Sequence, residues 1–138
     1  MSQAPYQAAH ISQIPAPVER EPGSYEWKPV RHHFGIRSFG VNANIAPNAD
    51  DWLIEEHTEI DEIGTRHEEL YYVAKGHARF SVGAEEVDAP AGTFVFVPDP
   101  GVSRSARALE AGTTLLAVGA EPGAAFTISP WERKYFGN

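Results

Sequence analysis

The side chains best suited to chemistry lie between positions 50 and 69. Nine of the nineteen acidic residues fall there (Asp50, Asp51, Glu55, Glu56, Glu59, Asp61, Glu62, Glu68 and Glu69), with Arg66 the only lysine or arginine among them. Asp61 and Glu62 read as a solvated acidic loop. Carboxylates crowded near a pocket share protons, so one of Glu59 and Glu69 is expected to titrate high and to serve as a general acid or base. That would permit a proton transfer, such as an isomerisation or cyclisation, without a metal. His57 and Glu59 stand at i and i+2, which on a strand puts both on one side. The adjacent His32 and His33 would point to opposite faces of a strand and cannot chelate together, and Ser103 and Ser105 have no recognisable His–Asp partnership.

Such residues need a scaffold, and the composition bounds it. The 138 residues suit one domain, 42% hydrophobic and 22% charged, as in an ordinary globular protein. A formal net charge of −8 argues against nucleic acid, whose phosphates call for clustered cations. With no cysteine there is no thiol nucleophile, disulfide or cysteine-ligated metal. No apolar run approaches the roughly 18 residues of a spanning helix, and the first twenty residues lack a signal-peptide pattern, so no membrane association and a cytoplasmic location are expected.

Five of the eleven prolines fall in the first thirty residues, which excludes a regular helix there. Residues 1–33 are expected to form an extended arm, with Ile11, Ile14, Val18, Tyr25 and Trp27 available to pin it to the body or to a neighbouring subunit. Residues 34–138 read as a barrel followed by a C-terminal packing segment. Short β-type runs, with no helical period, are predicted at 34–43, 51–58, 70–74, 78–82, 86–88, 93–97, 103–108, 113–118 and 125–129. Ala78, Phe80 and Val82 alternate with His77, Arg79 and Ser81, giving one apolar and one polar face. Lys75-Gly76 and Val82-Gly83-Ala84 read as hairpin turns. Many short strands without intervening helices indicate an antiparallel sandwich or barrel.

Two segments sharpen this. Glu69 is followed by a strand reaching Gly76, and after a further strand and turn come Pro90-Ala91-Gly92, a strand through Phe94 and Phe96 to Pro98, and then Arg104. This pattern, over residues 40 to 120, resembles the cupin superfamily. The resemblance implies an all-β fold, a cupin-type jelly-roll barrel (double-stranded β-helix), here with an extended N-terminal arm. It also implies pairing into a homodimer, with the arm's aromatics suited to exchange between partners and Trp131 to Phe136 packing on the barrel or across the interface.

The resemblance places Glu69 at the family's ligand glutamate and His57 and Glu59 at its two His-x-His positions, with a longer insertion before Glu69. Arg104 stands where the last ligand histidine belongs. One imidazole and two carboxylates suit a hard divalent ion. A guanidinium cannot lose its proton, so Arg104 would repel such an ion and form charge-assisted bonds with Glu59 or Glu69 instead, taking the place of the metal's charge. His67, two residues before Glu69, is either a ligand in place of Glu59 or a histidine at the barrel mouth bonded to a nearby carboxylate. Tyr71 should face inward with Glu69, either to orient a ligand or as a packed core tyrosine.

The expected function is binding of a small organic molecule in the barrel by His57, His67, Tyr71, Phe94, Phe96 and Arg104, with Glu69 and Glu59 as the acid–base pair and either no cofactor or one divalent metal ion. The alternative is a metal-dependent oxygenase, isomerase or cyclase using His57, Glu59 and Glu69.

Overall fold

A computed structural model describes residues 4–61 and 64–137; the acidic Glu62 lies outside the described residues. Among the described residues, nine strands build two antiparallel sheets. Strands β1 (Glu26–Lys28), β2 (Gly40–Ala46), β9 (Thr113–Ala120), β4 (Glu68–Lys75) and β7 (Phe94–Val97) form one in the order β1-β2-β9-β4-β7. Strands β3 (Trp52–His57), β8 (Arg104–Ala108), β5 (His77–Val82) and β6 (Glu85–Pro90) form the other in the order β3-β8-β5-β6. Among the described residues, no helix is long and apolar enough to cross a membrane.

Two-residue periodicity decides what each strand contributes. Leu53, Tyr71, Val73, Phe80, Val97, Ala106 and Leu115 are buried in one cluster between the sheets. Fully burying a side chain such as Phe80 contributes about 2–3 kcal/mol each. In β7 it is Val95 and Val97 that point inward. Phe94 and Phe96 are 65% and 54% exposed, which corrects their assignment to the barrel interior. All four residues of β7 are apolar, so alternation showed which shared a face but not which face was inner.

Eight of the nine expected strands form. The run 125–129 does not, and β1 was not anticipated. The Val82-Gly83-Ala84 turn joins the paired strands β5 and β6, but Lys75-Gly76 is not a hairpin: it carries the chain from β4 in one sheet to β5 in the other. Gly76 has φ +82°, and a Cβ there would sit 2.4 Å from Thr113 Oγ1, so the corner admits only glycine.

The arm folds back on its own barrel. Ile14 is buried, β1 pairs with β2, and a five-residue helix α1 (Val30–Phe34) follows, so the sheet begins before the expected boundary at residue 33. His32 and His33 therefore lie on a helix rather than a strand, and His32 stacks on Phe136 with ring centroids 3.5 Å apart. A second helix, α2 (Pro130–Phe136), packs Trp131, Tyr135 and Phe136 around Trp27 at centroid distances of 4.9, 5.5 and 6.0 Å. The buried pair Arg31–Glu132, 2.8 Å apart, fastens α2 to α1.

Candidate functional site

The end of β3 aims the first of the site residues. Its ladder with β8 pairs Ile54 with Ala106 and then His57 with Arg104, three residues on one strand against two on the other. That bulge turns His57 toward the barrel and sets it opposite Arg104. Glu69 and Tyr71 lie on the inner face of β4, and Glu69 is flanked by Gly119 of β9, where a Cβ would lie 3.0 Å from the Glu68 carbonyl. Glu59 follows β3, its backbone N–H donating to the Pro100 carbonyl at 2.8 Å.

These elements bring His57, Glu59 and Glu69 together: one donor atom from each lies within 4.8 Å of the other two. His57 Nδ1 is 2.9 Å from the Glu55 carbonyl oxygen and Nε2 is 2.9 Å from Glu59 Oε1. The carbonyl can only accept, so Nδ1 carries a proton, and an ionised Glu59 makes Nε2 a donor as well. Burial works to lower the pKa of His57, but the bonds to Glu59 and to the Glu55 carbonyl, with the Glu59 charge, outweigh it and hold it above the ordinary histidine value.

The two carboxyls are driven apart. Burial favours the neutral form of both, but hydrogen bonds from His57 and Glu69, with the charges of His57 and Arg104, hold Glu59 below its usual value. Glu69 is pushed well above, first by burial and then by its hydrogen bond to Glu59 and that group's charge; Tyr71 and Arg104 oppose this without reversing it. Glu69 thus holds a proton beside an ionised Glu59, the arrangement of one acid and one base. The Tyr71 hydroxyl donates to Glu69 Oε1, and burial, reinforced by the Glu69 charge, pushes its own pKa far up, so it stays a donor.

Arg104 lies behind this group with no exposed side-chain surface. Its Nη1 is 3.5 Å from Glu69 Oε1, while Nε and Nη2 donate to the carbonyls of Val102 and Asp99 at 3.0 and 3.1 Å. Of the two carboxylates considered for it, Glu69 is the one it reaches. His67 is buried, its Nε2 without a hydrogen-bond partner among the described residues, and its ring lies 5.9 Å from Phe126; it does not line the cavity with Glu69.

The cluster opens into a cavity of about 400 Å³. His57, Glu59, Glu69 and Tyr71 form its inner end, Glu55, Glu56 and Asp61 part of its wall, and Tyr25, Trp27 and Trp131 an aromatic side; Asn42 and Asn44 of β2 complete it. Trp27 Nε1 donates to Asn42 Oδ1 at 2.9 Å, fixing the ring. The aromatic side and the asparagines were not recognised as site residues from sequence. Tyr25, Trp27 and Trp131 were visible only as apolar residues of the terminal segments.

No protein-family model matches the sequence, and no curated protein sequence matches it. Solved structures do match in shape. A cupin protein from Bacteroides fragilis superposes with a TM-score of 0.63 at 16% identity, over 92% of this chain and 93% of that one. A conserved protein with a double-stranded β-helix domain from Klebsiella pneumoniae gives 0.63 at 16% identity, over 90% and 97%. KdgF from a Halomonas species gives 0.60 at 19% identity, over 78% and 87%. At these identities the likeness is one of fold.

Proposed function

We propose that this chain, a small cupin-fold domain, binds a small organic molecule in the mouth of its barrel and presents to it an acid–base pair, Glu69 and Glu59. The observation that carries the reading is the convergence of His57, Glu59 and Glu69 at the inner end of a cavity, with the fixed charge of Arg104 directly behind. The cavity falls within the range of roughly 300–1,000 Å³ common for small-molecule sites. Glu69 would deliver a proton to a bound molecule and the ionised Glu59 would take one up, with His57 and Tyr71 orienting the two carboxyls. Arg104 stabilises negative charge on Glu69 once its proton has left.

The donor spacing also favours a second reading, one divalent ion held by His57, Glu59 and Glu69. Two carboxylate oxygens and an imidazole nitrogen are suitable in type, and a bound ion would supply Lewis-acid polarisation of a ligand oxygen. Against it, Glu69 Oε1 already accepts from Tyr71 and Arg104, and both His57 nitrogens face acceptors. Elemental analysis of dialysed protein, followed by calorimetric titration with Mn²⁺, separates the two. The first reading expects no retained metal in the wild type and a gain of Mn²⁺ binding in Arg104→His. One equivalent surviving dialysis in the wild type replaces it with the second.

The outward Phe94 and Phe96 support a further element of the proposal, pairing of two copies. Leu70 and Phe96 are cross-strand partners, as are Tyr72 and Phe94, and together they make an apolar patch at the edge of the five-stranded sheet. Monomeric proteins seldom leave such patches uncovered, and among the described residues the outer side of β7 is an unpaired strand edge.

A further inference from the structure

The reading of the cavity as an organic-molecule site leaves open what kind of molecule it takes, and the lining narrows this. Among the described residues that line it there is no lysine or arginine. Arg104 lies behind Glu69, with Nε and Nη2 on carbonyls and Nη1 on that carboxyl, and is not part of the lining. Beyond the inner three residues, where the charge of His57 is matched by that of Glu59, Glu55, Glu56 and Asp61 add carboxylates to the wall. An anionic ligand would lose its hydration and gain repulsion.

Tyr25, Trp27 and Trp131 also line the cavity, with the Trp27 and Trp131 rings 4.9 Å apart and edge-on. Aromatic faces attract a cation through their quadrupoles and cover its alkyl portion. A bare divalent ion would use the inner three donors and leave the aromatic lining idle.

We infer that the cavity takes an organic cation, a protonated amine bearing an apolar group, whose ammonium lies among the wall carboxylates and whose apolar part rests against Trp27 and Trp131. This rests on the small-molecule reading above and adds the ligand's charge to it.

Three probes of similar shape test it: 2-phenylethylamine, 2-phenylethanol and 3-phenylpropionate, titrated into metal-free wild-type protein at low salt and followed by the indole N–H signals of Trp27 and Trp131. Trp52, capped by Arg107 at 3.7 Å and absent from the cavity wall, is the internal control. The expected result is a shift of both cavity indoles, with the amine bound at least tenfold more tightly than the alcohol. Binding should weaken several-fold in 0.5 M salt and in Glu55→Gln/Glu56→Gln. If the alcohol or the carboxylate binds as tightly as the amine while moving Trp27 and Trp131, the charge assignment is overturned and the small-molecule reading stands. If none of the three moves them, both fail.

Discussion

Arg104 and Glu69 meet at the floor of the barrel with Nη1 and Oε1 3.5 Å apart, the first side chain wholly shielded from solvent and the second 15% exposed toward the cavity. The guanidinium is held from behind by two backbone carbonyls, so it is built into the wall rather than drawn in by the carboxyl. Arg104→Met should therefore destabilise the fold by about 2–4 kcal/mol, because it leaves those carbonyls without donors. Glu69→Gln, which keeps an acceptor in place, should cost less than about 1.5 kcal/mol. Urea denaturation of the two variants gives the comparison; equal costs would mean that Arg104 acts only as a partner of Glu69.

The hydrogen bond and charge of Glu59 rank next after burial among the causes that raise Glu69. Glu59→Gln removes the charge, so the pKa of Glu69 should fall toward the ordinary carboxylate range, as followed by the ¹³Cδ shift of Glu69 against pH. The linkage has a definite sign. A carboxyl with a raised folded pKa binds its proton more tightly when folded, so its contribution to stability declines as pH rises from the ordinary carboxylate range toward the folded value. That decline should be shallower in the variant.

His57 moves in the same direction by a different route, held above 6.5 by its acceptors despite burial. Its contribution is fully present below 6.5 and is lost as pH rises through the folded value. Thermal unfolding followed from pH 5.5 to 9 should show the wild type losing Tm across this interval relative to His57→Gln. Parallel profiles would show that the imidazole gains no proton affinity on folding.

The pair Arg31–Glu132 joins positions 101 residues apart with both side chains buried, and it anchors the helix that brings Trp131 to the cavity. Glu132→Ala leaves a buried guanidinium short of its partner, a defect worth about 3–5 kcal/mol. Because α2 belongs to neither sheet, the release should be local: a red-shifted tryptophan emission and faster amide exchange in 130–136, with β4 and β9 unchanged. Global unfolding at the same denaturant concentration would mean that the helix is integral to the barrel.

What could be read from the sequence follows the range of the interactions. His57 and Glu59 share a side because strand geometry fixes i and i+2, and the Pro90, Gly92 and Pro98 pattern sets the strand that ends before Arg104. Asn44 and Trp131 could not be assigned to the site, because β2 joins its sheet through β9 and α2 reaches the cavity by packing on Trp27 of β1, contacts that span much of the chain and carry no local period. The same limit hid the destination of Gly76: its sharp turn was legible, but the requirement for glycine comes from Thr113, 37 residues away. His32 and His33 were misplaced on a strand because a five-residue helix is too short to display a helical period.

Phe94 and Phe96 bear on assembly. Their exposure, the tilted packing of Tyr72 on Phe94 at 4.5 Å and the neighbouring Leu70 make this side of β4 and β7 the surface through which two copies would pair. Phe94→Ser/Phe96→Ser removes apolar area without touching the core, since both rings point outward, so the folded state should survive with its Tm within a few degrees of the wild type at a concentration where both are monomeric. Light scattering coupled to size exclusion should then show a dimer for the wild type and a monomer for the double variant. The cavity lies on the opposite, inner face of β4, and probe binding to Trp27 and Trp131 should be retained in the monomer. A wild type that is monomeric at high micromolar concentration would remove the pairing proposal and leave the patch as a site for a different partner.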